Sequence, residues 1–191
     1  MDLRSQTLLE DLGAYPAADE RERASLDRMM RFVSGAATPF DRANPEGHIT
    51  GSAVVARADG SAFLLVHHRK LDRWLQPGGH CDPMDGGVLG TALREAQEET
   101  GIGDLVPALD GRPFDVDVHP IPAKDGEPAH LHYDVRYLVT SSEETGEPAA
   151  DEVSDAGWFG LDEALAMGID ESLARCLKKA KAILRRTASS S

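Results

Sequence analysis

The stretch GGHCDPMDGGVLGTALREAQEETGI, Gly78–Ile102, decides how this chain is read. On a helix advancing about 100° per residue, with Glu95 at zero, Glu98 falls at about −60° and Glu99 at about +40°. All three carboxylates share one face. Arg94 lies beside them at about −100°, one turn from Glu98. Ala96 points away, in line with Leu89 and Leu93. The segment therefore predicts a helix from about Val88 to Thr100 with an apolar packing side and an acidic side, and Gly101 stands where a left-handed C-cap is needed. Like charges this close repel one another. An acidic face on its own usually means a solvated surface; the alternative is a seat for a cation. Pro77-Gly78-Gly79 ahead of the helix, where the backbone can take unusual angles and present bare carbonyls and amides, favours the cation. So do Asp82 and Asp85 on the loop side. Oxygen-rich clusters of this kind suit hard divalent ions such as Mg2+ or Mn2+.

Upstream of the stretch, ITGSAVVAR (Ile49–Arg57) and SAFLLVHHRK (Ser61–Lys70) read as strands joined through Asp59-Gly60, a hairpin turn signal. Downstream, FDVDVHPIP (Phe114–Pro122) and HLHYDVRYLV (His130–Val139) alternate with period two. In the second, Leu131, Tyr133, Val135, Tyr137 and Val139 share one face, and His130, His132, Asp134 and Arg136 the other. SSEETGEPAADE is a polar loop, DAGWF a short strand and Leu161–Met167 a short helix. The last helix, Asp170–Arg186, buries Leu173, Leu177, Ala180 and Leu184, with acids near its start and bases near its end as the helix dipole favours. At the other end, residues 1–45 read as helical. Pro16 suits a first helical turn, Leu26, Met29, Met30 and Val33 form a buried stripe, and 36–47 is a connector. Three units follow: a helical extension at 1–45, a domain at 46–168, and a C-terminal helix packed on that domain, with a frayed tail, at 169–191.

The length of 191 residues suffices for one domain with a core and an appendage. A net charge of −13 argues against stable nucleic-acid binding. An anionic small molecule remains compatible where metal ions offset the charge. No apolar run approaches the roughly 20 residues of a membrane span, and MDLRSQTLLEDLG carries no signal-type apolar stretch. With only Cys81 and Cys176, a cytoplasmic protein is expected.

Here the residues lead to a family. Arg94-Glu95-Ala96-Gln97-Glu98-Glu99-Thr100-Gly101-Ile102 resembles the second half of the Nudix box at every position. The first half departs from the pattern. After Gly79 and five intervening residues comes Asp85 in place of Glu, and eight residues rather than seven separate it from Arg94. The preferred alignment is a one-residue insertion, with Asp85 replacing the Glu.

The resemblance implies an α/β fold, a Nudix-like α/β/α sandwich with a mixed sheet, here with an N-terminal helical extension. It implies a divalent-metal-dependent hydrolase, using Mg2+ or Mn2+, that cleaves a phosphoanhydride in a nucleoside diphosphate linked to another moiety: a nucleotide, nucleotide sugar or dinucleotide. Carried over by position, Glu95, Glu98, Glu99 and the carbonyl of Gly79 are the implied metal ligands. One glutamate is an alternative base toward water, and Arg94 orients a glutamate. Glu152, on the loop before a strand, is a further catalytic acid or an ordinary loop residue. Arg69 ends a strand just before the box loop, His80 directly follows Pro77-Gly78-Gly79, and His132 and Arg136 line a polar strand face; these four are the candidate substrate contacts, each against the plainer reading of a solvated or structural side chain. Trp74, Trp158 and Cys81 read as packing residues. Two other activities stay open on the same fold: a nucleotide sensor with little turnover, and an isoprenoid diphosphate isomerase, for which no matching Cys and Glu arrangement is found. The first helices offer the surface for a homodimer.

Overall fold

The computed structural model describes residues 1–124, 126, 128–145 and 153–188. Helices α1 (Leu3–Gly13) and α2 (Glu20–Gly35) lead into strands β1 (Gly47–Ala56), β2 (Phe63–His68), β3 (Arg73–Leu75) and β4 (Gly78–His80). Helix α3 (Val88–Thr100) follows, then β5 (Val106–Pro107), β6 (Pro113–Ile121), β7 (His130–Thr140) and β8 (Val153–Phe159), and finally α4 (Leu161–Ala166) and α5 (Glu171–Ala188). Among the described residues, no helix is long and apolar enough to cross a membrane.

The strands form one mixed, eight-stranded sheet. Its spine is β1 beside β7, parallel and in register from Gly47↔Leu131 to Ala56↔Thr140. The early part of β1 pairs antiparallel with β4, and its end with β2. On the far side, β7 pairs antiparallel with β6 and with the short β5. Strand β2 also carries β3 and β8.

Alternation of side chains gives the sheet two buried faces. On one, Ile49, Ala53 and Val55 of β1 and Tyr133, Val135, Tyr137 and Val139 of β7 pack with α1, α2 and α3. On the other, Val54, Phe63, Leu65 and Leu138 pack with Leu173, Leu177, Ala180 and Leu184 of α5, the stripe that the sequence pattern gives. Helices α1 and α2 belong to the first of these two cores. Phe32 of α2 stacks on Tyr133, with ring centroids 4.0 Å apart. Glu22 of α2 is buried and accepts hydrogen bonds from Tyr15, Arg175 and Lys179, tying α2 to α5.

Several local expectations need correction. Pro16 lies between α1 and α2, and α2 begins instead behind Asp19, whose carboxylate accepts from the Glu22 amide. Gly78 and Gly79 are extended and paired with Ser52 and Gly51 in β4, so conformational freedom is not why they are glycine. They are glycine because there is no room. A Cβ on Gly78 would run into the Ser52 hydroxyl, and one on Gly79 into the Glu95 carboxylate. Strands β3, β4 and β5 are too short to leave a periodic signal.

Candidate active site around the acidic helix

Helix α3 begins after Gly87 and ends at Gly101 in the left-handed conformation, φ 69°. Its apolar side is set by Val88, Ala92 and Ala96 against β1. The three glutamates of its other side differ in environment. Glu99, nearest the apolar side in the helical projection, is 8% exposed and accepts from the Gly78 amide at 3.1 Å. Glu95 lies against Gly79. Glu98 is the most open, its side chain 48% exposed. Burial pushes the Glu95 carboxyl above the ordinary range; Arg94 offsets part of this, and the charges of Glu98 and Asp85 add to it.

Arg94 organises the cluster. Its Nε and Nη2 donate to the two oxygens of Asp85 at 2.7 and 3.1 Å, a bidentate pair. Its Nη1 donates to Glu95 at 2.9 Å and to Glu98 at 3.0 Å, and Nη2 also reaches the His80 carbonyl at 3.0 Å. Asp85 is a hub in turn. Its side chain is 4% exposed and also accepts from the Thr91 hydroxyl and the Asp82 amide. Burial alone would raise its carboxyl, but the hydrogen bonds from Arg94, Asp82 and Thr91 outweigh that and hold it at about 2. The longer loop therefore returns a carboxylate to the box arginine, and Asp85 acts on the glutamates through Arg94.

The remaining candidates lie elsewhere. Arg69 donates to the Val153 carbonyl at 3.1 and 3.4 Å, at the start of β8. Glu152 lies outside the described residues. Arg136 is buried, and its guanidinium faces inward: it donates to Asp134 at 2.8 Å, Asp115 at 3.2 Å, Asp117 at 3.4 Å and the Ser172 hydroxyl at 2.8 Å. That geometry makes it the counter-ion of a buried carboxylate cluster, a role that its strand alternation alone could not reveal. His80 and His132 sit together, but on the sheet face away from Glu95. Gly79 points its missing Cβ at Glu95, so its neighbour His80 points the other way, with its ring 5.3 Å from that of His132. The spacing put Asp85 in the place of the box glutamate, but its pairing with Arg94 and the internal network of Asp115, Asp117 and Asp134 emerge only in the folded chain.

Compared with known proteins, residues 47–180 match the family model of the NUDIX domain. A search of curated proteins gave no match. Among solved structures, the chain is similar to C. elegans Ap4A hydrolase in a binary complex (TM-score 0.53, 21% identity, 71% of this chain and 96% of that one). It is also similar to the NUDIX domain of Shewanella oneidensis NrtR complexed with ADP ribose (0.52, 23%, 71% and 87%). A NUDIX-family hydrolase from Clostridium perfringens aligns equally well (0.51, 24%, 72% and 97%). At these identities the likeness is one of fold.

Proposed function

This chain belongs to the Nudix family; from that premise we propose that it is a pyrophosphohydrolase that cleaves a phosphoanhydride in a nucleoside diphosphate linked to a further group, using Mg2+ or Mn2+. The observation that carries the reading is the gathering of Glu95, Glu98 and Asp85 around one guanidinium, with Glu95 against the glycine backbone at Gly79. Ap4A and ADP ribose, named with two of the similar structures, both contain phosphoanhydrides, which supports the same substrate class.

The donor set fits a hard divalent ion. Glu95, Glu98, Glu99 and the Gly79 carbonyl are all oxygen donors, and the packing that excludes a Cβ at Gly79 keeps its backbone beside Glu95. A divalent ion held there supplies neutralisation of the phosphates and Lewis acidity. The chain's own residues do the rest. Arg94 fixes the rotamers of Glu95 and Glu98, and Asp85 fixes Arg94. Glu98, the most exposed of the three glutamates, is assigned to accept the proton of the attacking water. Glu99, held by the Gly78 amide, ties the helix to β4.

The test is release of phosphate or nucleoside monophosphate from nucleoside triphosphates, ADP ribose, nucleotide sugars and dinucleoside polyphosphates, with Mg2+ and with Mn2+. Glu98→Gln and Glu99→Gln are assayed beside the parent. The reading expects metal-dependent turnover that both variants lose. Binding of these nucleotides without turnover of any would instead make the protein a sensor and overturn the hydrolase.

A further inference from the structure

On the sheet face away from the glutamates, histidines from separate strands converge. His48 of β1 is registered beside His132 of the parallel strand β7. His130 lies two residues back along β7 on the same face, and His80 of β4 comes in opposite Thr50. Ring centroids are 4.7 Å apart for His48–His132, 5.0 Å for His48–His130 and 4.8 Å for His48–His80. One ligand nitrogen from each of His48, His130 and His132 can be chosen so that all lie within 4.8 Å of one another. Around a tetrahedral zinc ion with Zn–N near 2.1 Å, such nitrogens stand roughly 3.4 Å apart, so a small inward turn of the rings closes the set.

The second observation is His48 itself. It is 1% exposed, and among the described residues neither of its ring nitrogens has a hydrogen-bond partner. Buried imidazoles normally satisfy at least one nitrogen, because leaving both unpaired costs the whole desolvation of the group. A bound ion would satisfy one. His130 also lines a cavity of about 290 Å3 with Arg42, Asn44, Pro45 and Pro128.

We propose that His48, His130 and His132 form a second metal site that takes an imidazole-preferring divalent ion, Zn2+ first. Imidazole sets select Zn2+, Ni2+ or Cu2+, whereas the carboxylates of α3 select Mg2+, so the two sites are separable by ion. The ion would clamp β1 to β7.

The test uses the full chain without a histidine tag, stripped with chelator and dialysed into excess Mg2+. Zn2+ is then titrated in, with bound metal counted by elemental analysis and the melting temperature followed. One equivalent of Zn2+ with a raised melting temperature is expected. His132→Asn and the half-buried His130→Ala should each weaken binding at least tenfold, since losing a ligand costs no less than the about 10- to 100-fold of losing an outer-shell partner. Glu98→Gln should leave Zn2+ binding intact. Circular dichroism matching the parent guards against misfolding, and His130, half-buried at the beginning of its strand, is the variant safest on that account. Absence of stoichiometric Zn2+ under Mg2+, binding that survives both histidine variants, or binding lost in Glu98→Gln would each overturn the site. None of these results depends on hydrolase activity.

Discussion

Replacing Asp85 with Asn removes one charge and little volume, so it isolates what the carboxylate does for Arg94. In the folded protein this carboxyl is held at about 2 against an ordinary 3.8. That difference is worth about 2.5 kcal/mol of stability when the group is ionised, at about 1.36 kcal/mol per tenfold change in proton affinity. Because the folded value is the lower one, the contribution is complete above about pH 4 and disappears as pH falls toward 2. An uncharged amide resembles the protonated carboxyl, so Asp85→Asn should lose about 2.5 kcal/mol at pH 7 and progressively less at acid pH. With a urea slope of about 2 kcal/mol per molar, the unfolding midpoint should fall by about 1 M. The assay is urea denaturation of both proteins in chelator at pH 7, with stability repeated down to the lowest pH at which the parent stays folded. A loss under 0.5 kcal/mol at pH 7, or a loss that does not shrink at acid pH, would refute the assignment of Asp85 as the charged partner of Arg94.

Three further outcomes follow from the packing. Gly79→Ala sets a methyl group against the Glu95 carboxylate, and displacement of a catalytic group by about 1 Å costs on the order of 100-fold; kcat at saturating Mg2+ should drop accordingly, while Gly13→Ala, where nothing lies within 4 Å, should leave it unchanged. Arg136→Leu removes the counter-ion shared by Asp115, Asp117 and Asp134, leaving Asp115 with Arg175 and Asp134 with the Thr50 and Ser52 hydroxyls, and should cost about 3–5 kcal/mol in urea unfolding; a cost below 1 kcal/mol would mean that the remaining partners suffice or that the cluster is protonated. Phe32→Ala removes the ring stacked on Tyr133 and should cost about 3–5 kcal/mol, measured as a shift of the single unfolding transition; a separate early transition would show that α1 and α2 unfold on their own.

Local patterns carried much of the fold. Helix α3 was bounded by its apolar side and Gly101, the β1–β2 hairpin by Asp59-Gly60, and β6, β7 and α5 by periods of two and 3.6, because each signal is contained within a dozen consecutive residues. The order of box residues placed Glu95, Glu98 and Glu99 on one face with Arg94 beside them, while the pairing of Asp85 with Arg94 came from the fold of the longer loop.

What the chain could not declare alone is everything that depends on which strand lies beside which. Short β4 has no periodicity of its own; only its pairing with β1 shows that Gly78 and Gly79 are glycine for want of space. Arg136 alternates onto a polar face that in another fold would meet solvent, but here α5 and β6 close over it and convert it into a buried counter-ion. His48, His130 and His132 are 82 or more positions apart across the β1–β7 pair (130 − 48 = 82), and nothing in either segment names the other. The sequence by itself determined the helix, its acids and the elements around it, because those are short-range properties of the backbone. Tertiary structure decided which polar groups are buried and against what, because burial and electrostatic partnership arise only when distant segments meet.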